Sequence, residues 1–274
     1  MTAICTDAAQ IIGKSKLLLL RIYLAFSLLL LVATGANTHA SSFTQLHIVT
    51  EDYAPMNYFE KGQFKGISIE ILRAIWQLEG IAYEPEVILY PWARAFYELQ
   101  QQPNFLLFSV AKTKSREALF KWACPIYESE YILIAQKRSH IRVNNINELT
   151  DYTIGTVRHD ISDLQLRATL PSDKKIISKP DMKLHLDLMD KSRLQLIAYD
   201  AMSAASMLKK AGRVPEDFEK VFTISQYQTC YAFSAQTSDK IVDRFNQHLA
   251  TLIKNGTYQK IIDKYKQPEA NLFH

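Results

Sequence analysis

The segment Phe105-Leu-Leu-Phe-Ser-Val-Ala-Lys-Thr-Lys-Ser-Arg116 decides how the rest of the chain is interpreted. Its first four residues are apolar and predict a buried strand, and the polar residues from Ser109 onward predict a turn. An arginine held by backbone on both sides of such a turn can aim its planar guanidinium at a carboxylate. Arg116 is therefore the first candidate binding residue. The alternative is a surface arginine paired with Glu117 or Glu128.

Short apolar strands alternate with helices of 3.6-residue period along the remaining chain. Strands are predicted at 46–50, 84–89, 105–110, 130–136, 153–157, 174–178, 194–199 and 221–233. Helices are predicted at 67–78, 92–102, 144–149, 162–169, 182–191, 201–211, 239–254 and 257–266. This alternation predicts an α/β fold in which helices cover mainly parallel sheets.

The charge of the chain argues against nucleic acid as a partner. The formal net charge is +4 over 274 residues, and the apolar fraction of 48% is ample for packed cores. Lys14, Lys16 and Arg21 against Asp7 give +2 to the first forty residues, which leaves +2 for the remainder. A net charge of +2 without runs of basic residues is weaker than expected for a surface that binds nucleic acid.

The N-terminus has the pattern of a signal peptide. Basic residues precede an apolar run from Ile22 to Ala33, and Thr38-His-Ala40 has small residues at the positions that a signal peptidase reads. We predict a signal peptide over residues 1–40 and a periplasmic mature protein. An uncleaved membrane anchor is the alternative.

Export to an oxidising compartment makes a disulfide relevant. The mature chain contains two cysteines, Cys124 and Cys230, which allow one bridge. Two buried free thiols are the alternative, because the sequence does not give the Cα separation that a bridge requires.

The central segment resembles the amino-acid-binding family (family 3) of bacterial periplasmic solute-binding proteins. The resemblance is carried by Thr113-Lys-Ser-Arg116, Phe120 and Pro125-Ile-Tyr127, and by Asn255-Gly-Thr-Tyr258 near the C-terminus. It covers nearly all of the mature chain. It implies a two-lobed type II periplasmic-binding fold whose lobes, each a mainly parallel sheet with helices, are joined by two hinge strands.

The resemblance also implies the domain boundaries. Residues 41–127 and 229–274 would form lobe 1, and residues 128–228 would be inserted as lobe 2. The crossings would be 126–130 and 226–230, so that the lobes can rotate about a hinge.

The family's ligand site carries over residue by residue. Arg116 would bind the ligand carboxylate, helped by backbone amides near Ser109 and Ala111, although the family usually has Thr or Ser where Ala111 stands. Asp200 would accept the ligand ammonium, with Tyr199 beside it. Asp200 as a helix N-cap alone is the alternative.

Further positions of the resemblance are aromatic or lie in a loop. Tyr53 and Trp92 match the two aromatic positions that sandwich the ligand side chain. The alternative for either ring is a place in the core. Arg158 and His159 lie where the family has a glycine-rich turn at a helix start, at which amides bind anions. A solvent-facing loop residue is the alternative for His159.

These residues suggest a binding protein rather than an enzyme. The sequence has no catalytic motif of a hydrolase, metalloprotease or phosphate loop, and no histidine spacing typical of a metal site. We expect a monomer that needs no cofactor, binds a small amino-acid-like ligand and delivers it to an inner-membrane transporter permease of the ABC type. A periplasmic sensor or adaptor, or a dehydratase-like cleft enzyme on the same fold, is the alternative.

Overall fold

The computed structural model of the chain describes residues 43–265 and 272–273. The predicted signal peptide over residues 1–40 lies outside these described residues. In the part of the chain that the structure describes, no helix has the length and apolar character needed to cross a membrane.

Ten strands are present among the described residues. They are β1 (His47–Thr50), β2 (Tyr58–Glu60), β3 (Gln63–Lys65), β4 (Val87–Leu89), β5 (Phe105–Ala111), β6 (Phe120–Gln136), β7 (Ile154–Val157), β8 (Ile176–Lys179), β9 (Leu196–Asp200) and β10 (Phe218–Ser234).

Eight α-helices accompany the strands in the described ranges. They are α1 (Ile67–Leu78), α2 (Trp92–Gln101), α3 (Lys114–Glu117), α4 (Ile161–Thr169), α5 (Lys183–Asp190), α6 (Ala201–Lys210), α7 (Asp239–Lys254) and α8 (Thr257–Tyr265). Short 3-10 helices occupy Phe43–Gln45, Lys137–Ser139, Ile146–Asp151 and Pro215–Asp217.

Two long strands connect the two sides of one eight-stranded sheet. The strand order is β4-β1-β5-β10-β6-β9-β7-β8, and β6 and β10, of 17 residues each, form its centre. We call β4-β1-β5 the β1 side and β9-β7-β8 the β7 side. Pairing is parallel within each side and antiparallel where β10 and β6 join them. This is the mixed α/β fold that the sequence predicts, while the division into two lobes stays a prediction.

The core is divided among faces of this sheet. On one face of the β1 side, α1 and α7 bury apolar stripes that include Ile71, Ile75, Phe245 and Leu249. On the other face α2 packs with α5 and α6. A third cluster lies between α4 and the β7 side. Met202 of α6 belongs to the first of these clusters, so apolar contact joins the two sides of the sheet.

A disulfide links the two long strands. Cys124 of β6 and Cys230 of β10 are bonded, with Cα atoms 4.7 Å apart. The sequence left open whether these thiols pair, and the structure pairs them. The bond closes a sequence separation of 106 residues that includes the whole β7 side.

Besides the longer extent of β6 and the 3-10 helix Ile146–Asp151 in place of the helix predicted over 144–149, two local features differ from the sequence-based predictions. The segment after Tyr53, expected as an irregular loop and turn, contains a small hairpin in which β2 and β3 pair antiparallel around Lys61 and Gly62. The strand expected over 84–89 is shorter, since β4 begins at Val87. In both places the strands have three residues, which is too short for a clear two-residue alternation.

Candidate functional site

The candidate site lies where the parallel strands of both sides end. Their carboxyl ends meet along one edge region, which is where open α/β sheets bind ligands. A small cavity of about 20 Å³, which we call the inner cavity, is formed there. Its lining comprises Glu51, Tyr53, Trp92, Ser109, Ala111, Tyr131, Val157, Asp160 and Tyr199. Five of the residues predicted from sequence, namely Tyr53, Trp92, Ser109, Ala111 and Tyr199, are thus brought together.

Arg116 is buried beside this cavity. Its side chain lies in the one-turn helix α3 directly after β5 and is only 3% exposed, which excludes the surface pairing with Glu117 or Glu128. Nη1 donates a long hydrogen bond of 3.4 Å to the Ala111 carbonyl, and Nη2 is buried without a hydrogen-bond partner among the described residues. A buried guanidinium nitrogen without a partner is costly, and a carboxylate would satisfy it.

Aromatic rings hold the guanidinium in place. Its Cζ atom lies 4.7 Å from the ring centre of Phe96 and 5.5 Å from that of Trp92. Burial lowers the pKa of Arg116, while the Asp160 carboxylate opposes this effect. The positive charge of Arg116 is therefore stabilised by the rings of Phe96 and Trp92 on one side and by the Asp160 carboxylate, from the β7 side, on the other.

Ser109 fixes the loop that carries Tyr53. Its hydroxyl donates to Asn57 Oδ1 at 2.5 Å and shares a hydrogen bond of 2.8 Å with the Ser68 hydroxyl. Ser109 has a φ of 61°, a left-handed conformation that is uncommon for residues other than glycine and is enriched at functional sites. The Ser109 hydroxyl is thus hydrogen-bonded within the protein. Ser109 therefore contributes to the lining of the inner cavity more by its position than by its hydroxyl group.

Asp200 caps the helix α6, the role that the sequence left as the alternative to ligand binding. Its Oδ1 accepts a hydrogen bond from the Ser203 backbone N–H at 3.0 Å, which caps α6. Its Oδ2 is buried without a partner among the described residues, and the residue is 1% exposed. Burial raises the pKa of Asp200 to about 6 although the cap lowers it. Oδ2 thus has no hydrogen bond of good geometry, although the hydroxyls of Ser129 and Ser203 are close enough to lower the pKa of the carboxyl group.

Aromatic residues connect the two sides of the sheet across the cavity. The rings of Tyr53 and Tyr199 meet edge to face with centroids 5.8 Å apart. The indole Nε1 of Trp92, on the β1 side, donates to the backbone carbonyl of His159, on the β7 side, at 3.0 Å. Both Tyr53 and Trp92 are also buried in core clusters, so each ring serves packing as well as the cavity wall.

The loop residues Arg158 and His159 contribute differently from the expectation. Both side chains are exposed, and neither lines the inner cavity. His159 has a φ of 60°, takes part through its carbonyl, and donates its backbone N–H to Asp163. A ligand role for these two side chains stays a prediction to which the structure adds no contact.

Four residues that line the inner cavity were not among the predicted ligand residues: Glu51, Tyr131, Val157 and Asp160. Glu51 directly follows β1, Asp160 caps α4 after β7, and Tyr131 is paired with Asp200 in the register of β6 and β9. The position of an acid just after a parallel strand was the available signal for Glu51 and Asp160. For Tyr131, inside a 17-residue strand, the sequence offers no such signal.

The acids of the cavity are protonated more readily than usual. Burial raises the pKa of Glu51 to about 8, with Asp160 as the next largest cause, and burial also raises the pKa of Asp160. Burial raises the pKa of Tyr131 well above its ordinary value. Raised pKa values of this kind are common among acids in functional sites, because such sites bring charged groups together where little water is present.

A larger cavity of about 540 Å³ adjoins the inner one, and we call it the outer cavity. The two share Glu51, Trp92, Val157 and Tyr199 as lining residues. The inner cavity has room for about one water molecule, whereas small-ligand sites have volumes of roughly 300–1,000 Å³. An amino-acid-sized ligand therefore fits in the inner cavity only if its walls move apart.

This arrangement can hold a small solute with opposite charges. A guanidinium nitrogen without an acceptor among the described residues lies on the β1 side, the buried Oδ2 of Asp200 lies on the β7 side, and the carboxyl groups of Glu51 and Asp160 line the inner cavity. Among residues 43–265, no group of three or more His, Cys, Asp or Glu side chains could hold a metal ion. The arrangement is that of a binding cleft between two parts of an α/β sheet.

Comparison with known families identifies the class. The chain belongs to the bacterial extracellular solute-binding proteins, family 3, whose profile matches residues 46–268. The resemblance that the central segment suggested is thereby confirmed. No curated protein sequence gives a significant match to this chain.

Solved structures of low sequence identity share the fold. A histidine kinase sensor domain with similarity to periplasmic binding proteins has a TM-score of 0.71 at 18% identity, covering 81% of this chain and 96% of its own. The arginine-, lysine-, histidine-binding protein ArtJ from Geobacillus stearothermophilus has a TM-score of 0.66 at 17% identity, covering 81% and 95%. An ancestral amino-acid-binding protein, AncCDT-1, a precursor of cyclohexadienyl dehydratase, has 0.68 at 18%, again covering 81% and 95%.

Proposed function

We propose that this chain is a periplasmic solute-binding protein that captures an amino acid, or a similar small zwitterion or carboxylate, by closure of two lobes. The lobes are those of the predicted division, residues 41–127 with 229–274 and residues 128–228. We further propose that a cleaved signal peptide directs export and that the protein, as a monomer, delivers its ligand to an ABC-type importer in the inner membrane.

The buried, unpartnered Nη2 of Arg116 is the observation that carries this proposal. The guanidinium lies against Phe96 and near the Ala111 carbonyl, and its Nη2 is buried without a hydrogen-bond partner among the described residues. A ligand carboxylate would complete its hydrogen bonds with bidentate geometry. The amino group would then meet the unpartnered Oδ2 of Asp200 or the carboxyl group of Asp160.

Closure follows from where these charges are held. Arg116 belongs to the β1 side, whereas Asp160 and Asp200 belong to the β7 side. A zwitterion touches both only when the sides approach, so its binding would favour the closed form. Contacts already present between the sides, such as that of Trp92 with His159, would be part of that form.

Calorimetric titration with a panel of amino acids tests the proposal. The purified protein should first be unfolded, dialysed and refolded to remove any ligand that copurifies. We expect at least one amino acid to bind, and Arg116→Ala to weaken its affinity by about tenfold or more. Arg193→Ala, at an exposed arginine, is the matched control. Equal affinity of the wild-type protein and the Arg116→Ala variant would remove Arg116 from the site.

A sensor role is the second candidate, since the same fold forms a histidine kinase sensor domain. Binding alone does not separate sensing from transport, so uptake of the bound solute by cells lacking the protein is the discriminating measurement. Unchanged uptake would favour a sensor or adaptor.

A catalytic role has less support, although one structural relative is a precursor of a dehydratase. Mass spectrometry of the ligand after incubation with the protein tests this role. A recovered, unaltered ligand is the result that we expect.

A further inference from the structure

Asp160 is held close to Arg116 through its neighbour in the chain, His159. The backbone carbonyl of His159 accepts the indole hydrogen bond of Trp92 at 3.0 Å. The ring centre of Trp92 lies 5.5 Å from Cζ of Arg116. Trp92 and Asp160 also line the inner cavity together. One side chain of the β1 side thus contacts both the guanidinium and the residue that precedes the acid.

A second connection runs through the residue that follows the acid. Ile161 is buried in one apolar cluster with Ala111 and Tyr131. The Ala111 carbonyl is the group to which Nη1 of Arg116 donates. Both chain neighbours of Asp160 therefore pack against residues that contact Arg116 or adjoin such a residue. The carboxyl group and the guanidinium are thereby held beside the same small cavity.

The carboxyl group of Asp160 is fixed by hydrogen bonds of its own. Oδ1 accepts from the backbone N–H of Ile161 at 2.6 Å, and Oδ2 accepts from the Ser162 hydroxyl at 3.1 Å, so that Asp160 caps α4. Burial raises the pKa of this carboxyl group, whereas the Ile161 N–H, the Arg116 guanidinium and the Ser162 hydroxyl lower it. Both oxygens of Asp160 thus have a donor within the protein. Oδ2 of Asp200 has no such partner among the described residues, which makes Asp200 the better acceptor for an amino group.

A ligand carboxylate at Arg116 would lie near this acid. The guanidinium attracts the carboxylate, but Asp160 has the same sign of charge as the ligand group and repels it. In an α-amino acid the amino group is attached to the carbon next to the carboxylate, so its positive charge offsets the repulsion. A plain carboxylate has no such group, and the repulsion is then uncompensated.

We propose that Asp160 is a specificity-determining residue whose carboxylate opposes the binding of a ligand carboxylate at Arg116 and so restricts the site to zwitterions. The inference rests on the proposed function, since it takes Arg116 as the residue that binds the carboxylate and Asp200 as the acceptor of the amino group. It narrows the proposed solute to an α-amino acid or a similar zwitterion, and it rules out small carboxylates that lack a cationic group.

Amino acids and their counterparts without the amino group test this role by calorimetric titration. Each amino acid of the panel that binds is compared with its plain acid, such as propanoate for alanine, 3-phenylpropanoate for phenylalanine or 4-carbamoylbutanoate for glutamine. We expect the wild-type protein to bind the plain acid at least tenfold more weakly than the amino acid, because a charged hydrogen bond is lost and the repulsion remains.

Asp160→Asn removes the charge and keeps the cap on α4, since asparagine and aspartate are equally good N-cap residues. This variant should bind the plain acid about tenfold or more tightly than the wild-type protein does, because a like charge close to the carboxylate is removed. Its affinity for the amino acid should change by less than about threefold, because repulsion of the carboxylate and attraction of the amino group are lost together. Asp217→Asn, at an exposed aspartate that lines neither cavity, is the matched control and should change neither affinity.

A double-mutant cycle tests the interaction of the two charges without any ligand. Denaturant unfolding is measured for the wild-type protein, Arg116→Gln, Asp160→Asn and the double variant. If the charges attract each other, the double variant should be more stable than the two single losses predict, by about fivefold or more in the unfolding constant. Arg116→Gln combined with Asp217→Asn should be additive to within about twofold.

The outcomes separate the two proposals. The role of Asp160 would be overturned by an additive cycle, by an unchanged affinity of Asp160→Asn for the plain acid, or by a plain acid that binds the wild-type protein as tightly as its amino acid. A loss of amino-acid affinity of tenfold or more in Asp160→Asn would also overturn it, because Asp160 would then be the acceptor of the amino group. Each of these results leaves the binding function standing, whereas failure of the wild-type protein and the variant to bind any of these compounds would overturn both proposals.

Discussion

The indole nitrogen of Trp92 donates to the carbonyl oxygen of His159 at 3.0 Å, which joins the start of α2 to the loop after β7. The bond spans the site, since Trp92 belongs to the β1 side and His159 to the β7 side. If the two sides close around the ligand as proposed, this bond belongs to the closed form and would break when the sides separate. It therefore offers a way to test closure apart from direct ligand contact.

We predict that Trp92→Phe weakens ligand binding by roughly twofold to tenfold, because a neutral hydrogen bond contributes about 0.5–1.5 kcal/mol. The phenyl ring keeps most of the apolar wall. Trp122→Phe is the matched control, since its indole also donates to a backbone carbonyl at 3.0 Å, that of Glu117, but away from the cavity. Calorimetry on both variants is the measurement. Equal losses in the two variants would show that the Trp92 bond has no special role in closure.

We predict that Asp200→Asn stabilises the unliganded protein at pH 7 by about 1–3 kcal/mol. The amide keeps the cap on the Ser203 N–H and removes a buried carboxyl group whose pKa burial raises to about 6. Below about pH 4 the carboxyl group is protonated in the folded and the unfolded chain, so variant and parent should have equal stability. Between about pH 4 and 6 the unfolded chain ionises first, so the parent loses stability as the pH rises.

Denaturant unfolding of both proteins from pH 3.5 to 7 measures this difference. Asp243→Asn, on the exposed face of α7, is the control and should change little at any pH. A difference between Asp200→Asn and its parent that does not grow with pH would contradict the assignment. The same variant should bind an amino-acid ligand less tightly if Oδ2 of Asp200 receives the ligand's amino group.

We predict that reduction of the Cys124–Cys230 bond lowers the free energy of unfolding by about 2–5 kcal/mol. The bond closes a long loop, and long loops gain the most when the unfolded chain is constrained. Chemical unfolding with and without a reductant measures the loss. The double variant Cys124→Ser with Cys230→Ser should resemble the reduced protein and show no response to the reductant.

The helices were easier to predict than the centre of the sheet. The bounds of α1 and α7 follow directly from their amphipathic repeats, and the structure has the bounds that the sequence predicts. The full extent of β6 could not be predicted from a repeat of apolar residues. Pro125 lies within this strand, and the burial of its residues varies irregularly along its length. Its continuity depends on pairing with β10, which is distant in sequence.

For the site, sequence reasoning found the residues that follow recognisable strands. Arg116 was predicted from its turn after β5, and its burial agrees with that reasoning. The importance of Glu51 and Asp160 depends on how other parts of the chain enclose them, and this burial is a property of the folded protein. Ligand roles for all of these residues stay predictions until binding is measured.

Position 109 places conflicting demands on its side chain. Glycine would adopt the left-handed backbone with no steric cost, but it would lose both hydroxyl contacts, to Asn57 and to Ser68. Larger residues without a hydroxyl would lose those contacts and crowd the inner cavity as well, and threonine, which keeps the hydroxyl, is β-branched and disfavoured in the left-handed backbone. Serine is thus a compromise that tolerates a strained backbone in order to tether the neighbouring loop, and few substitutions at this position should be tolerated.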